Sequence, residues 1–263
     1  MADVAGDDLA GALERVRERI GGAAARAGRD PSQVTLVAVS KGQPAERVAE
    51  AARAGQRDFG ENRTAEAVPK IAQLEAWGAG GLRWHFVGRL QRNKVRTLFG
   101  TGGTEGPARG DLVCLIHSVD RLELAAEIAK RAAGPADILV EVNTSGEEAK
   151  GGVHPSGLAA LVDAILRMPG ADGVQVRGLM TMAPRVDRPE DARPYFRRLA
   201  SLRDELGRRF PGAGIGHLSM GMSQDYEIAV EEGATIVRVG AAIFGPGLGR
   251  GGRAGAQAPA SLC

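Results

Sequence analysis

Apolar residues recur along the chain in two alternating patterns. Short runs of β-branched and aliphatic residues predict strands, and stretches with an apolar residue at every third or fourth position predict helices. Strands are predicted over 34–40, 57–60, 84–88, 113–117, 137–143, 174–180, 214–219 and 235–239. Helices are predicted around Leu9, Leu13, Val16 and Ile20, and then over 45–54, 64–76, 90–98, 119–132, 155–167, 189–209 and 223–232.

The order of these elements predicts the fold class. Each predicted strand precedes a helix, and the run from Ile138 to Val142 is apolar without alternation, as is typical of a strand covered on both faces. Such a chain of about 250 residues favours a single TIM-type (β/α)8 barrel with an extra N-terminal helix. A doubly wound open sheet is the alternative. We expect the barrel to span 1–250, with a surface loop over 100–110 and a disordered tail over 251–263.

The charge balance limits the classes of partner. Lys and Arg number 34 against 32 Asp and Glu, and both signs are scattered along the helices, so we expect no nucleic-acid surface. No apolar run is long enough to cross a membrane, and the first residues lack the basic-then-apolar order of a signal peptide. The two cysteines, Cys114 and Cys263, argue against a disulfide framework or a zinc site. A cytoplasmic protein without a bound metal is the expectation.

Lys41 is the most informative polar residue at a predicted strand end. Functional residues of such barrels lie at the C-terminal ends of strands, and Lys41 follows the first strand. A lysine that ends an apolar strand is expected to lose hydration, which favours its neutral, nucleophilic amine. Such amines form Schiff bases with aldehydes, including pyridoxal 5′-phosphate (PLP). A lysine that simply extends into solvent is the more common alternative.

Two loops late in the chain suit a phosphate group. Ser219 to Ser223 follows the seventh predicted strand, and Arg238 to Gly240 follows the eighth, where these barrels commonly bind phosphate at exposed backbone N–H groups. Ser223 has the alternative role of N-cap for the next helix, and Gly240 that of a packing glycine. Arg238 is either a rim ion-pair partner or a donor to the pyridine nitrogen of PLP. His85, inside the third strand, is expected to be a hydrogen-bonded core residue.

These motifs resemble, in order and over nearly the whole chain, those of the pyridoxal phosphate homeostasis proteins, also called the YggS or proline synthetase co-transcribed family. That family is related in fold to the N-terminal barrel of alanine racemase. The matching segments are Leu36 to Lys41, Phe59 to Asn62, Trp84 to Gly88, Leu90 to Lys94, His117 to Asp120, Val142-Asn143 with Lys150 and Gly152, Arg177 to Met180, Leu218 to Ser223 with Asp225, and Val237 to Gly245.

The resemblance implies a cofactor site for PLP and a role for each of its residues. It implies a Schiff base on Lys41, phosphate contacts from Ser219, Ser223 and the backbone of Gly240, an arginine at the ring nitrogen in Arg238, and a pocket-lining Asn62. The chain departs from the family pattern twice. Gln43 replaces a second lysine near Lys41, and the segment 63–66 lacks the tyrosine that relatives carry after Asn62.

The resemblance leaves a carrier and an enzyme as alternatives. The leading expectation is a PLP homeostasis protein without catalytic turnover, monomeric, with PLP-dependent apo-enzymes as possible recipients. The rival is an amino-acid racemase, which needs a second base that alanine racemases take from an added domain, whereas Tyr195 and Tyr226 here fall in predicted helices. A third class, a PLP-free barrel hydrolase, needs paired carboxylates or a metal cluster, for which Glu61 and Glu141 are the candidates.

Overall fold

The computed structural model describes residues 9–99, 112–147 and 151–245 and folds them into a closed barrel. All eight strands pair in parallel in chain order, and β1 pairs with β8 to close the sheet. The strands are β1 (Thr35–Val39), β2 (Asp58–Glu61), β3 (Arg83–Phe86), β4 (Leu115–Val119), β5 (Ala136–Glu141), β6 (Val174–Met180), β7 (His217–Ser219) and β8 (Ile236–Val239). The predicted barrel is confirmed and the open sheet is excluded.

Helices cover the outside of the barrel, and all of them except α1, which precedes β1, come after a strand. They are α1 (Leu9–Arg26), α2 (Ala45–Arg53), α3 (Thr64–Ala76), α4 (Val95–Leu98), α5 (Leu122–Arg131), α6 (Pro155–Arg167), α7 (Arg193–Arg209), α8 (Tyr226–Glu231) and α9 (Ala241–Phe244). Within the described ranges, none of these helices is both long and apolar enough to cross a membrane. The predicted loop over 100–110 and tail over 251–263 lie outside the described residues.

The predicted element ends are wrong in several places. The helix predicted over 90–98 is a 3-10 turn, Arg92–Lys94, followed by the single turn of α4. The helix predicted from residue 223 begins only at Tyr226, because Gly221, with φ +91°, and the loop after it turn the chain first. The fourth strand, predicted over 113–117, is β4 at Leu115–Val119, so His117 lies in the middle of the strand and not at its end.

The extra N-terminal helix supports the elements that follow the last two strands. The apolar stripe of α1 is fully buried at Leu9 and Leu13, and α1 packs against α2, α8 and α9. Burial of a leucine side chain contributes about 1.5–3 kcal/mol to stability. Arg26 on α1 also forms an ion pair with Glu231 on α8. Helix α1 therefore fixes the outer side of the loops that precede α8 and α9.

The inside of the barrel is part apolar and part polar. A small buried cluster fills one layer and consists of Val37, Leu115, Leu139, Met180 and Ile236. Because side chains alternate along a strand, the residues two positions later share the interior face. In β4 and β8 those residues are His117 and Arg238, and both are buried. The barrel thus places polar groups inside, toward the C-terminal ends of its strands.

Candidate cofactor site

Lys41 lies at the C-terminal mouth of the barrel, two residues after the end of β1. The residue is exposed, so the predicted loss of hydration is wrong for this lysine. The physical reason is that β1 ends at Val39 and the chain turns at once through Gly42, whose φ is +72°. The amine of Lys41 is therefore accessible to a ligand in the mouth.

The backbone around Lys41 is anchored from below by a buried ammonium group. Nζ of Lys70, on α3, donates hydrogen bonds to the backbone oxygen of Ser40 at 2.8 Å and to Oε1 of Glu66 at 2.9 Å. Glu66 in turn accepts from the backbone N–H of Gly42. The residues before and after Lys41 are thus tied to one side chain, which fixes the loop although Lys41 itself is exposed.

Glu61 completes this arrangement, and we call Ser40, Glu61, Glu66 and Lys70 the anchor cluster. Oε1 of Glu61 accepts from Nζ of Lys70 at 2.6 Å and from Oγ of Ser40 at 2.7 Å. Glu61 is 1% exposed and its Oε2 has no hydrogen-bond partner among the described residues. Burial raises the pKa of Glu61, and the hydrogen bonds and charge of Lys70 oppose that rise. Glu61 therefore supports the Lys41 loop, a role quite different from a hydrolytic carboxylate.

Asn62 follows β2 and carries an unsatisfied polar atom. Its Oδ1 is buried and has no hydrogen-bond partner within the described part of the chain. The backbone of Asn62 passes close to Gly88, where an added Cβ would lie 2.3 Å from the backbone oxygen of Asn62. Buried carbonyl groups nearly always accept a hydrogen bond. The side-chain Oδ1 of Asn62 is therefore available to a donor from a ligand or water in the mouth.

Arg238 is a buried cation held by neutral groups. Its Nη1 donates to Oγ of Ser219 at 2.6 Å, and its Nη2 donates to the backbone oxygen of Thr181 at 2.9 Å. Burial lowers the pKa of Arg238 to about 10, although the charges of Glu141 and Asp225 act in the opposite direction. Both partners are neutral oxygens, no carboxylate of the described residues forms an ion pair with Arg238, and isolated buried charges are costly. Such a group is typical of a functional site.

The loops after β7 and β8 meet at Ser223 and Gly240. Oγ of Ser223 accepts from the backbone N–H groups of Gly240 and Ala242, both at 3.3 Å. Ser223 is therefore not the N-cap of α8, as the alternative role required. Asp225 is the residue before α8, and its Oδ1 accepts from the N–H of Met222 at 2.6 Å. The long contacts at Ser223 mark a small cradle of backbone donors at the start of α9.

A chain of hydrogen bonds crosses the barrel interior, and we call Asp58, His85, His117 and Ser219 the interior relay. Asp58 Oδ1 lies 3.1 Å from His85 Nε2, His85 Nδ1 lies 3.0 Å from His117 Nε2, and His117 Nδ1 lies 2.8 Å from Ser219 Oγ. Burial opposes ionisation of Asp58, but hydrogen bonds from His85 and Arg83 prevail and lower the pKa of Asp58 to about 2. Burial lowers the pKa of His117 well below its usual value, so that imidazole is neutral.

The structure joins the predicted site residues into two pairs and places the other two beside them. Ser219 contacts Arg238, and Ser223 contacts Gly240. Lys41 and Asn62 follow β1 and β2, which pair with each other, and β1 also pairs with β8, where Val37 is opposite Arg238. All six therefore lie at the same end of the barrel. The described residues hold no group of three His, Cys, Asp or Glu side chains arranged for a metal ion.

Sequence reasoning gave no binding role to two features of this region. Lys70 lies in the middle of a predicted helix, and only the fold brings it under Lys41. The interior relay could have been noticed from strand alternation, because Leu115 and His117 share one face of β4. The core role expected for His85 is confirmed, since it is buried and both ring nitrogens have partners.

Comparison with known proteins gives consistent matches over most of the chain. The family model described as the N-terminal domain of alanine racemase matches residues 12–247. The pyridoxal phosphate homeostasis protein of Aquifex aeolicus is 48% identical over 236 residues, which cover 89% of this chain and 96% of that protein. The protein of the same name from Escherichia coli K12 is 37% identical over 248 residues, which cover 91% and 97%.

Solved structures extend the comparison to the fold. PipY of Synechococcus elongatus, in a structure with PLP bound, is 34% identical at a TM-score of 0.71 and covers 88% of this chain and 100% of its own. An alanine racemase from Corynebacterium glutamicum is 18% identical at a TM-score of 0.58, a likeness of fold alone. The chain therefore belongs to the alanine racemase N-terminal domain family and, within it, to the pyridoxal phosphate homeostasis proteins. The predicted resemblance is confirmed.

Proposed function

We propose that this chain binds PLP at the mouth of the barrel and serves in intracellular PLP homeostasis. The observation that carries the proposal is Arg238, a buried guanidinium without a carboxylate partner among the described residues, on the strand next to the one that Lys41 follows. A ligand that brings an acceptor atom for this arginine, an aldehyde for the amine and a phosphate for the neighbouring loops would satisfy all three features. PLP carries these three groups in one small molecule.

The residues of the mouth fit the parts of PLP one by one. Arg238 would donate to the ring nitrogen, and its permanent charge would keep that nitrogen unprotonated. Ser223 and the backbone N–H of Gly240 would hold the phosphate. The hydroxyl of Ser219 already contacts Arg238 and His117 and would hold the arginine, so a phosphate contact from Ser219 stays a prediction. Asn62 would line the pocket, with its unpartnered Oδ1 available to a donor.

Lys41 would supply the covalent link. Its amine nitrogen would add to the aldehyde carbon, and its two hydrogens would leave with the aldehyde oxygen as one molecule of water, so that a C=N bond replaces the C=O bond. The anchor cluster holds the backbone on both sides of Lys41, so the amine is carried on a fixed loop. Because Lys41 is exposed, water can reach the same bond and reverse the reaction, which suits a protein that stores and releases PLP.

Absence of turnover is part of the proposal. PLP supplies an electron-withdrawing ring when bound, and a hydrogen bond from Arg238 to an unprotonated ring nitrogen would weaken that property. A racemase also needs a second base, and the two tyrosines lie in helices, with Tyr226 buried at 2% exposure beneath α1. Incubation with L-alanine or L-serine should give no racemisation at enzymatic rates; turnover that disappears in Lys41→Ala would establish the racemase instead.

An absorbance titration tests the binding proposal. PLP added to purified protein should produce a long-wavelength band, and Lys41→Ala should lose that band while Lys130→Ala, an exposed lysine on α5, keeps it. An identical band in Lys41→Ala would contradict the assignment. A monomeric state, a cytoplasmic location and transfer of PLP to apo-enzymes stay predictions, checked by sedimentation, cell fractionation and reactivation of an apo-enzyme.

A further inference from the structure

We propose that His117 is a positioning residue of the cofactor site, which acts through Ser219 to fix the guanidinium of Arg238. The role rests on the proposed function, in which Arg238 donates to the ring nitrogen of PLP. His117 is fully buried inside β4 and lies below the mouth, so it does not itself reach a ligand there. Its effect on PLP would pass through two hydrogen bonds, His117 to Ser219 and Ser219 to Arg238.

The direction of each hydrogen bond follows from the chemistry of the partners. Arg238 can only donate, so Oγ of Ser219 accepts from it, and the hydroxyl hydrogen must go to another acceptor. Among the described contacts of Ser219, that acceptor is Nδ1 of His117, 2.8 Å away. Ser219 is 0% exposed, so bulk water does not offer an alternative. The hydroxyl therefore donates to His117 while it accepts from Arg238.

The rest of the interior relay fixes the tautomer of His117. A neutral imidazole that accepts at Nδ1 carries its hydrogen on Nε2, which then donates to Nδ1 of His85. His85 in turn carries hydrogen on Nε2 and donates to the carboxylate of Asp58. The opposite order, with the hydrogen of His85 on Nδ1 and none on Nε2, would leave Nε2 and the carboxylate facing each other as two acceptors. Each donor in the series thus finds one acceptor, from Arg238 to Asp58.

This arrangement gives the arginine a fixed rather than a rotating acceptor. A serine hydroxyl can rotate about its C–O bond, but donation to His117 holds its hydrogen on one side and leaves a lone pair toward Arg238. The 2.6 Å contact between Nη1 and Oγ is correspondingly short. Without His117, the buried hydroxyl hydrogen would have no acceptor, and the serine would turn it toward the guanidinium or another group. The guanidinium of Arg238 would then lose the acceptor that holds its Nη1 in position.

Variants at His117 separate positioning from structural support. His117→Leu removes the acceptor, whereas His117→Asn places an amide oxygen near the position of Nδ1 and can still accept from Ser219. We expect His117→Leu to raise the Kd for PLP about tenfold, typical of a lost hydrogen bond to a charged group, and to shift the absorbance band of bound PLP. His117→Asn should restore most of both. His217→Leu, at a histidine outside the relay, should leave both unchanged.

The outcomes distinguish this role from the proposed function. If the wild-type protein gives no PLP band, the proposed function fails; if it binds PLP and His117→Leu matches it in Kd and spectrum, only the positioning role fails. Ser219→Ala provides a second test if His117→Leu does not fold, because it removes the same link to Arg238. It should raise the Kd for PLP and shift the absorbance band as predicted for His117→Leu, and an unchanged Kd and spectrum would overturn the role.

A measurement on the ligand-free protein checks the hydrogen-bond directions without any cofactor. Nitrogen-15 NMR of the histidine rings should show His117 protonated at Nε2 and unprotonated at Nδ1. Protonation at Nδ1 would mean that His117 donates to Ser219, which would overturn the proposed arrangement.

Discussion

Nη1 of Arg238 lies 2.6 Å from Oγ of Ser219, and this contact joins the last two strands of the barrel inside its mouth. The second contact of Arg238, from Nη2 to the backbone oxygen of Thr181, reaches across to the end of β6. Three neighbouring strands therefore hold one buried cation. Because both partners are neutral, the positive charge of the arginine is not compensated within the site and is available to a ligand. Burial of that charge lowers the free energy of unfolding.

Replacement of Arg238 by methionine tests whether this buried charge serves ligand binding and not stability. A buried charge without an ion-pair partner is costly, so its removal offsets the loss of the two hydrogen bonds that Arg238 donates. We expect Arg238→Met to weaken PLP binding by at least about tenfold while Tm changes by only a few degrees. Arg177→Met removes a strand arginine paired with Asp137 on the outside and serves as the control. Unchanged affinity in Arg238→Met would refute the assigned role.

Ser223 provides a test that is specific for the phosphate. Its hydroxyl sits between the N–H groups of Gly240 and Ala242, where the phosphate is proposed to bind. We expect Ser223→Ala to weaken binding of PLP about tenfold and to leave binding of pyridoxal, which lacks the phosphate, nearly unchanged. Equilibrium titration with both compounds measures the ratio. An equal loss for the two compounds would move the phosphate elsewhere.

The anchor cluster predicts a strong coupling between Lys70 and Glu61. Both side chains are buried, at 7% and 1% exposure, and their contact is 2.6 Å. Lys70→Met leaves the Glu61 carboxylate buried without its cation, so we expect the free energy of unfolding to fall by about 3 kcal/mol. The double variant Glu61→Gln with Lys70→Met should recover much of that loss. Urea unfolding of the four proteins measures the coupling; simple additivity of the two changes would contradict it.

Asp58 predicts a pH dependence of stability at the other end of the interior relay. Its pKa is lowered to about 2 in the folded protein from 3.8, so its contribution is complete above about pH 4 and is lost as the pH falls toward 2. Over that window the free energy of unfolding of the wild type should fall by about 2 kcal/mol more than that of Asp58→Asn. Parallel curves for the two proteins would show that Asp58 is not held as its contacts indicate.

The fold and the place of the site could be predicted from the sequence because both follow from local patterns. Apolar runs predict the strands, and the C-terminal ends of parallel strands must share one mouth, so the sequence predicts that Lys41, Ser223 and Gly240 lie at the same end of the barrel. The exposure of Lys41 could not be predicted, because it depends on how soon the chain turns after β1. The role of Lys70 was equally hidden, since it depends on the distance between α3 and the Lys41 loop in three dimensions.

Borohydride reduction of the complex with PLP shows directly whether Lys41 carries the cofactor. Borohydride converts a Schiff base into a stable amine, and peptide mass mapping then identifies which of the five lysines carries the cofactor. We expect the added mass on the peptide that contains Lys41, in stoichiometric amount, with Lys70, Lys94, Lys130 and Lys150 unmodified. Modification at another lysine, or no modification of a protein that shows the PLP band, would contradict it.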